Sequence, residues 1–350
     1  MATISVPSSR PGQRAVGDLS GRLRRSRTAW IYILPAGLIM GVISFFPQLY
    51  QVGMSLTDYR IQNLRFNLFN PETYVKYAPE FVGVENFLRI LNNTINVENY
   101  DFLRLLLFNL TWTFSNVAFH VGLGVLIALA LNSRELIGRR VYRALFIIPW
   151  ALPGYITALT WKNMYDDRFG AINQLFGVAN GVLGTSLPTD TRWMVVAQPP
   201  IGGLLAFLPL AFYAVLLANV WLGWPFMTVV ATGALQSIPH ELYEAAEMDG
   251  ASSWQKFWRI TAPLIRPAMV PAIMLGTIWT FNQFNVIYFI SEGDPLGRTE
   301  ILVTQAFKLV YEKRLYGLAA AFSLVVFIIL FAITLINNRV TRATEAYDVA

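Results

Sequence analysis

Ile238-Pro-His-Glu-Leu-Tyr-Glu-Ala-Ala-Glu-Met-Asp-Gly250, continued by Ala251-Ser-Ser-Trp-Gln-Lys-Phe-Trp-Arg-Ile-Thr-Ala-Pro263, is a polar island between two long apolar stretches. Pro239 suits the first position of a helix and Glu241 the positive end of its dipole, so a short helix is expected to begin there. Gly250 can take the left-handed conformation that ends a helix, Ser252 or Ser253 can cap a second one, and Pro263 is expected to stop it. The segment reads as helix, turn, helix. Ala245, Ala246 and Ala251 permit close approach, flanked by Glu244, Glu247 and Asp249. Such a surface suits a partner's cleft, although these residues taken alone equally allow a solvated loop with no partner.

Working outward, a bilayer core about 30 Å thick needs roughly 20 apolar residues of helix. Six stretches meet that length: Ala29 to Leu56, Leu105 to Asn132, Ala144 to Met164, Gly203 to Leu235, Ala268 to Ser291 and Leu315 to Asn337. Pro35, Pro47, Pro149, Pro153, Pro209 and Pro225 interrupt otherwise helical patterns, and broken helices in membranes line something. The first stretch follows a basic tail, residues 1–28, but is far longer than the roughly 7 to 15 apolar residues of a signal peptide, so a first transmembrane helix is expected. The fold class is therefore all-α, a polytopic membrane protein of about six spans.

Composition agrees: hydrophobic residues make up 55% of the 350 and charged residues only 14%, with a mean hydropathy of +0.46. The formal charge of +6 does not point to nucleic acid. Arg22, Arg24, Arg25, Arg27, Arg139, Arg140 and Arg143 all sit beside apolar runs, where basic residues set topology. That rule places the tail at 1–28, the Ser133 to Arg143 connection, the Gln236 to Pro267 loop and the tail at 338–350 in the cytoplasm. Residues 57–104, 165–202 and 292–314 then face outward. Cysteine is absent, and His120 and His240 are too far apart in sequence to suggest a metal pair, so no metal site is expected.

Glu244-Ala245-Ala246, then Gly250, then Ile260 and Pro263 at these intervals resembles the "EAA" loop of the permease subunits of type I ABC importers. Ala262 departs from the leucine usual there. Arg139-Arg-Val-Tyr-Arg143 followed by Pro149 and Pro153, then Phe169-Gly-Ala-Ile-Asn173, resembles the second inside loop and third span of the sugar-type permeases. The resemblance runs from about Leu105 to the C-terminus and leaves 57–104 unmatched. It implies a MetI-like permease core at 105–337 and a second, homologous permease. It also implies two ATPase subunits that carry ATP and Mg, and an extracytoplasmic sugar-binding protein. The loop at 238–263 would dock in a cleft of an ATPase through Glu244.

The chain itself has no G-x-x-x-x-G-K-[ST] phosphate loop, and Gly177, Gly181 and Gly184 read as a flexible outer loop. No ionisable residue is central to a span apart from His120, which speaks against ion coupling. No constellation of an enzyme active site is present, so a secondary transporter is the rival reading rather than an enzyme. Trp221-Leu-Gly-Trp-Pro-Phe226 and Trp279-Thr-Phe-Asn-Gln-Phe-Asn285 put rings and amides where hydrocarbon is cheaper. Asn282 and Asn285, three apart, are expected on one helical face. Such a mixture suits a neutral sugar, though amides that merely bond neighbouring helices are an equal reading of the residues alone. In the maltose-transporting members of the family the resemblance assigns sugar contact to Leu222, Gly223, Phe226, Phe281, Asn282 and Asn285, with Ile287 nearby. Phe226 stands where tyrosine is usual, which leaves maltose, maltodextrin, trehalose or another glucoside open.

Overall fold

The computed structural model describes residues 27–65, 67, 69–133 and 136–341. Most of the basic tail at 1–28, and the C-terminal tail from 342 onward, lie outside the described residues. Helix α1 comprises Arg27–Met40, a π-turn Gly41–Phe45 and Phe46–Ser55. Short helices α2 (Pro71–Tyr77) and α3 (Glu85–Leu91) follow, then the long α4 (Phe102–Asn132). Helices α5 (Arg139–Ala151) and α6 (Gly154–Met164) form a bent pair, and α7 is Ala171–Leu183. Helix α8 (Leu210–Gln236) leads into α9 (Glu241–Met248). Helix α10 is built from Ser253–Lys256, a π-turn Phe257–Thr261 and Ala262–Phe281. Helix α11 (Phe284–Val286 and the π-turn Ile287–Ser291), α12 (Leu302–Tyr311) and α13 (Tyr316–Thr341) complete the chain.

Five helices among the described residues are long and apolar enough to cross a membrane, six with α5 and α6 taken as one broken span. The third stretch expected from sequence is thus not one helix: α5 and α6 meet at 90°. Leu152 precedes Pro153 and takes the extended conformation (ψ 142°) that proline imposes on its predecessor, so the helix has to end there.

Helices α4 and α8 form the centre. Asn116 faces Asn219, the His120 ring lies over Gly223, and Gly124 abuts Met227, a ladder that advances four residues on both helices at each step. Because the numbers rise together, the two helices run parallel. Parallel helices need a return crossing between them, and the α5–α6 pair supplies it. A Cβ at Gly124 would come within 2.5 Å of Met227 Cβ, so glycine is what permits the approach.

Two π-turns sit immediately ahead of prolines. Pro47 and Pro263 have no N–H to donate and would clash with the carbonyl four residues earlier. The wider turns Gly41–Phe45 and Phe257–Thr261 absorb the mismatch. Pro263 consequently does not stop its helix, contrary to expectation, and α10 continues unbroken into the fifth apolar stretch. That helix breaks later, at Asn282 and Gln283. The expected start of the fourth stretch at Gly203 is a separate 3-10 turn, Gly203–Leu205, and α8 proper begins after Pro209. Gly177 and Gly181 lie inside α7 and Gly184 ends it at φ +65°, so that run is a capped helix rather than a flexible loop.

The unmatched segment at 57–104 has a structural task. Asn86 Nδ2 donates to Ser55 O (2.9 Å) and Thr57 O (2.8 Å), and Gly317 N donates to Tyr59 O (2.9 Å). Ile90 and Ile95 pack with Leu318 and Phe322 of α13. These contacts hold the end of α1 against the start of α13, while the rest of α1 presents Ile33, Leu38, Val42, Ile43 and Phe46 outward. At the same end Lys162 pairs with Glu292 and Lys308 with the buried Glu300. Burial pushes the Glu300 carboxyl above its usual range, although Lys308 and Thr304 both bond to it.

Candidate functional site

A cavity of about 250 Å³ opens where four elements meet. Helix α4 contributes His120, the α5–α6 break Trp150, Leu152 and Gly154, and α8 Asn219, Leu222, Gly223, Phe226 and Met227. The end of α10 adds Gly276, Trp279 and Thr280, and the break that follows it Gln283. The prolines make this possible, since a straight third span would leave no recess at Leu152. One wall is aromatic: the Phe226 ring centroid lies 6.0 Å from Trp150 and 5.6 Å from Trp279. Trp150 and Trp279 are about half exposed, so this wall is open.

The opposite side is a chain of amides. Gln283 Nε2 donates to Asn219 Oδ1 (3.2 Å), Asn219 Nδ2 to Asn116 Oδ1 (2.8 Å), and Asn116 Nδ2 to Trp112 O (2.8 Å). His120 Nε2 donates to the Asn219 carbonyl at 2.9 Å. The carbonyls freed where α10 ends are also taken up: Trp112 Nε1 donates to Thr280 O (3.0 Å) and Asn109 Nδ2 to Phe281 O (3.2 Å). A helix end inside hydrocarbon needs such partners, because no water is there to replace them. No Asp, Glu, Lys or Arg stands among the described residues that line the cavity.

The expected sugar-contact residues separate into two groups. Leu222, Gly223 and Phe226 line the cavity. Phe281 and Ile287 are fully buried in packing on either side of the helix break. Asn282 and Asn285 do not share a helical face, because α10 ends at Phe281 and α11 starts afresh at Phe284. Asn282 Nδ2 donates back to Ile278 O at 3.2 Å. Asn285 sits beside the α5–α6 break, where a Cβ on Gly154 would be 3.5 Å from its Nδ2. His120, Trp150, Gly154, Asn219, Trp279, Thr280 and Gln283 went unassigned in the sequence reading. Two signals were available: residues beside a proline break, and polar side chains four apart (Asn116 and His120) in an apolar span.

The loop at 238–263 forms a second candidate site. Helix α9 ends in a Schellman motif: Gly250, at φ +76°, donates to Glu247 O (3.0 Å) and Ala251 to Ala246 O (2.9 Å). Ser252 then opens α10 with a reciprocal capping box to Gln255. Lys256 Nζ bonds Glu247 Oε1 across the turn (2.5 Å), and Tyr243 Oη meets Thr261 Oγ1 at 2.9 Å. The bond to Lys256 holds the Glu247 carboxyl below its usual range. Glu244 is exposed and bonded to His240 Nδ1 (2.7 Å), with Met248 and Trp254 also exposed nearby in the loop. Ala245 is exposed, Ala246 and Ile260 are half-buried, and Pro263 lies on the surface of α10.

A Cβ at Gly250 would touch nothing within 4 Å, so the cost of a side chain there is conformational alone. Gly250→Ala is expected to lower stability by roughly 1 kcal/mol or more, read from thermal melts of the purified complex. Gly181→Ala, at another open helical position, is expected to be neutral or slightly stabilising.

Residues 120–344 match the family of binding-protein-dependent transport system inner membrane components. Among curated relatives, the galactooligosaccharides transport system permease protein GanP of Bacillus subtilis is 32% identical over 312 residues, covering 87% of this chain and 68% of its own length. The trehalose/maltose transport system permease protein MalF of Thermococcus litoralis is 36% identical over 270 residues, covering 77% of this chain and 83% of its own. A chain of a bacterial ABC transporter that imports alginate superposes with a TM-score of 0.69 at 18% identity, over 94% of this chain and 99% of that one. With a family match over more than half its length and relatives above 30% identity, this chain belongs to the inner membrane components of binding-protein-dependent transport systems.

Proposed function

We propose that the chain forms half of the pathway by which a neutral sugar, a maltodextrin, maltose, trehalose or related glucoside, is imported. The observation that carries this reading is the cavity of aromatic rings and amides without a fixed charge. Rings stack on the apolar faces of a pyranose and amides pair with its hydroxyl groups, whereas a charged substrate would call for a countercharge. The names of the relatives, which handle galactooligosaccharides and trehalose or maltose, support the same class. A volume of about 250 Å³, open along Trp150 and Trp279, is small against the roughly 300 to 1,000 Å³ of complete small-molecule sites. A second permease closes it.

Two ATPase subunits supply the energy, with ATP and Mg bound to them and not to this chain. The loop at 238–263 lies on the cytoplasmic side, docks through Glu244 in an ATPase cleft, and moves inward as the ATPases close. Because α10 continues without a stop from that loop to the cavity, the movement reaches Trp279 and Thr280 along one helix. The spans then open outward to receive sugar from an extracytoplasmic binding protein. An ion-coupled transporter is disfavoured: among the described residues the spans bury no Asp, Glu, Lys or Arg, and the buried Glu300 lies between α11 and α12, outside them.

The test is reconstitution with the partner subunits. ATP turnover is expected to rise only when the sugar and its binding protein are both present, and turnover indifferent to every glucoside would end the sugar reading. In that assay Asn285→Ala is expected to raise the sugar concentration needed for half-maximal uptake several-fold, about what one hydrogen bond contributes, at unchanged abundance. An unaltered concentration dependence would remove Asn285 from the site.

A further inference from the structure

His120 is 5% exposed, yet it is one of the cavity's lining residues. Its ring occupies the space beside Gly223, where an added Cβ would lie 2.2 Å from Cε1, 2.3 Å from Nε2 and 2.6 Å from Nδ1. No side chain at position 223 is compatible with the imidazole in this place, so the absence of one there is what admits the ring to the cavity floor.

The ring's protonation pattern follows from its partner. A backbone carbonyl can only accept, so the contact of Nε2 with Asn219 O at 2.9 Å requires the proton on Nε2. In the neutral ring Nδ1 then carries a lone pair and no hydrogen. The neighbouring Asn219 amide is already committed on both atoms, its Nδ2 to Asn116 and its Oδ1 to Gln283. Within this part of the floor Nδ1 is left as the acceptor.

We propose that His120 is a substrate-contacting, specificity-determining residue, whose Nδ1 accepts a hydrogen bond from one hydroxyl group of the transported sugar. This rests on the sugar reading above and sharpens it: the floor selects a ligand that donates, a neutral hydroxyl, over a carboxylate that can only accept. Gly223 acts here as a positioning residue, since its bareness keeps the ring in place.

The experiment uses the full transporter in proteoliposomes, with maltose, trehalose and a series of monodeoxy maltoses as probes. His120→Leu, which fills the space but cannot accept, is expected to raise KM roughly ten-fold with the maximal rate nearly unchanged. One monodeoxy sugar should be handled poorly by the wild type and no worse by the variant, because the lost hydroxyl and the lost ring nitrogen are the same interaction. His120→Gln can donate to Asn219 O and still offer an oxygen, and is expected to restore KM in large part. If the wild type imports these sugars while His120→Leu keeps its KM, or shifts it with the deoxy pattern unchanged, the contact is refuted and the sugar reading stands. Should His120→Leu fail to assemble, the deoxy pattern of His120→Gln decides, since its oxygen accepts from a shifted position and an unaltered pattern refutes the contact. If the wild type imports neither these probes nor any other glucoside, the sugar reading falls and this inference with it.

Discussion

Glu244→Lys is expected to abolish ATP-driven uptake while leaving the protein inserted and at normal abundance. Glu244 lies in the first turn of α9, where the helix dipole favours an anion, and its side chain is 64% exposed. Nothing in the fold depends on it apart from the bond to His240, so lysine there is tolerated by the chain itself. A cationic group in an ATPase cleft, however, would meet a like charge at the centre of the contact, which costs far more than a lost surface pair. If Glu244 docks as proposed, sugar-stimulated ATP turnover should disappear together with uptake. Glu244→Gln, which removes attraction without adding repulsion, should retain part of the activity. Full uptake by Glu244→Lys would refute the docking role.

Gly317→Ala is expected to be the most destabilising of the small substitutions. A Cβ at that position would lie 2.1 Å from Thr57 O, 2.9 Å from Tyr59 N and 3.1 Å from Thr57 C. All three are backbone atoms, so no rotamer change relieves the overlap. Overpacking costs roughly 1 to 3 kcal/mol even where side chains can yield, and the cost here should reach or exceed the upper end. The Gly317 N to Tyr59 O bond and the Asn86 bridge to Ser55 and Thr57 would be strained together, releasing α1 from α13. Thermal unfolding of the purified complex, with protease accessibility at 57–65, measures this. Gly37→Ala, at a helical position with nothing within 4 Å, is the matched control and should be near neutral. Equal behaviour of the two variants would contradict the packing described.

Much of the architecture was legible because it depends on local chemistry. Apolar length marks α1, α4, α8 and α13 to within a few residues, apart from the start of α8. Gly250 and Ser252 do at the turn what their side chains allow anywhere, a left-handed cap and a capping box. The prolines were harder. Pro153 does break its span, yet Pro263 does not end α10, because a π-turn ahead of it removes the clash that the proline rule assumes. Gly177 and Gly181 differ for the converse reason: the amphipathic pattern of Ala171–Leu183 outweighs the weak helix propensity of two glycines in α7.

Legibility was lowest at the cavity. Leu222, Gly223 and Phe226 were readable as part of one motif, but Asn282 and Asn285 lost their shared face to a helix break that no local rule demands. His120 and Asn219 stand 99 positions apart, and Trp112 and Thr280 168 apart. Unaided, the sequence determined a membrane fold of about six apolar segments and a rigid helix–turn–helix loop, since length, hydropathy and turn chemistry act within a few residues. Only the tertiary structure decided which polar groups converge on the floor of the cavity. The parallel crossing of α4 and α8 sets that meeting, and the crossing depends on the close approach that Gly124 and Gly223 allow between surfaces far apart along the chain.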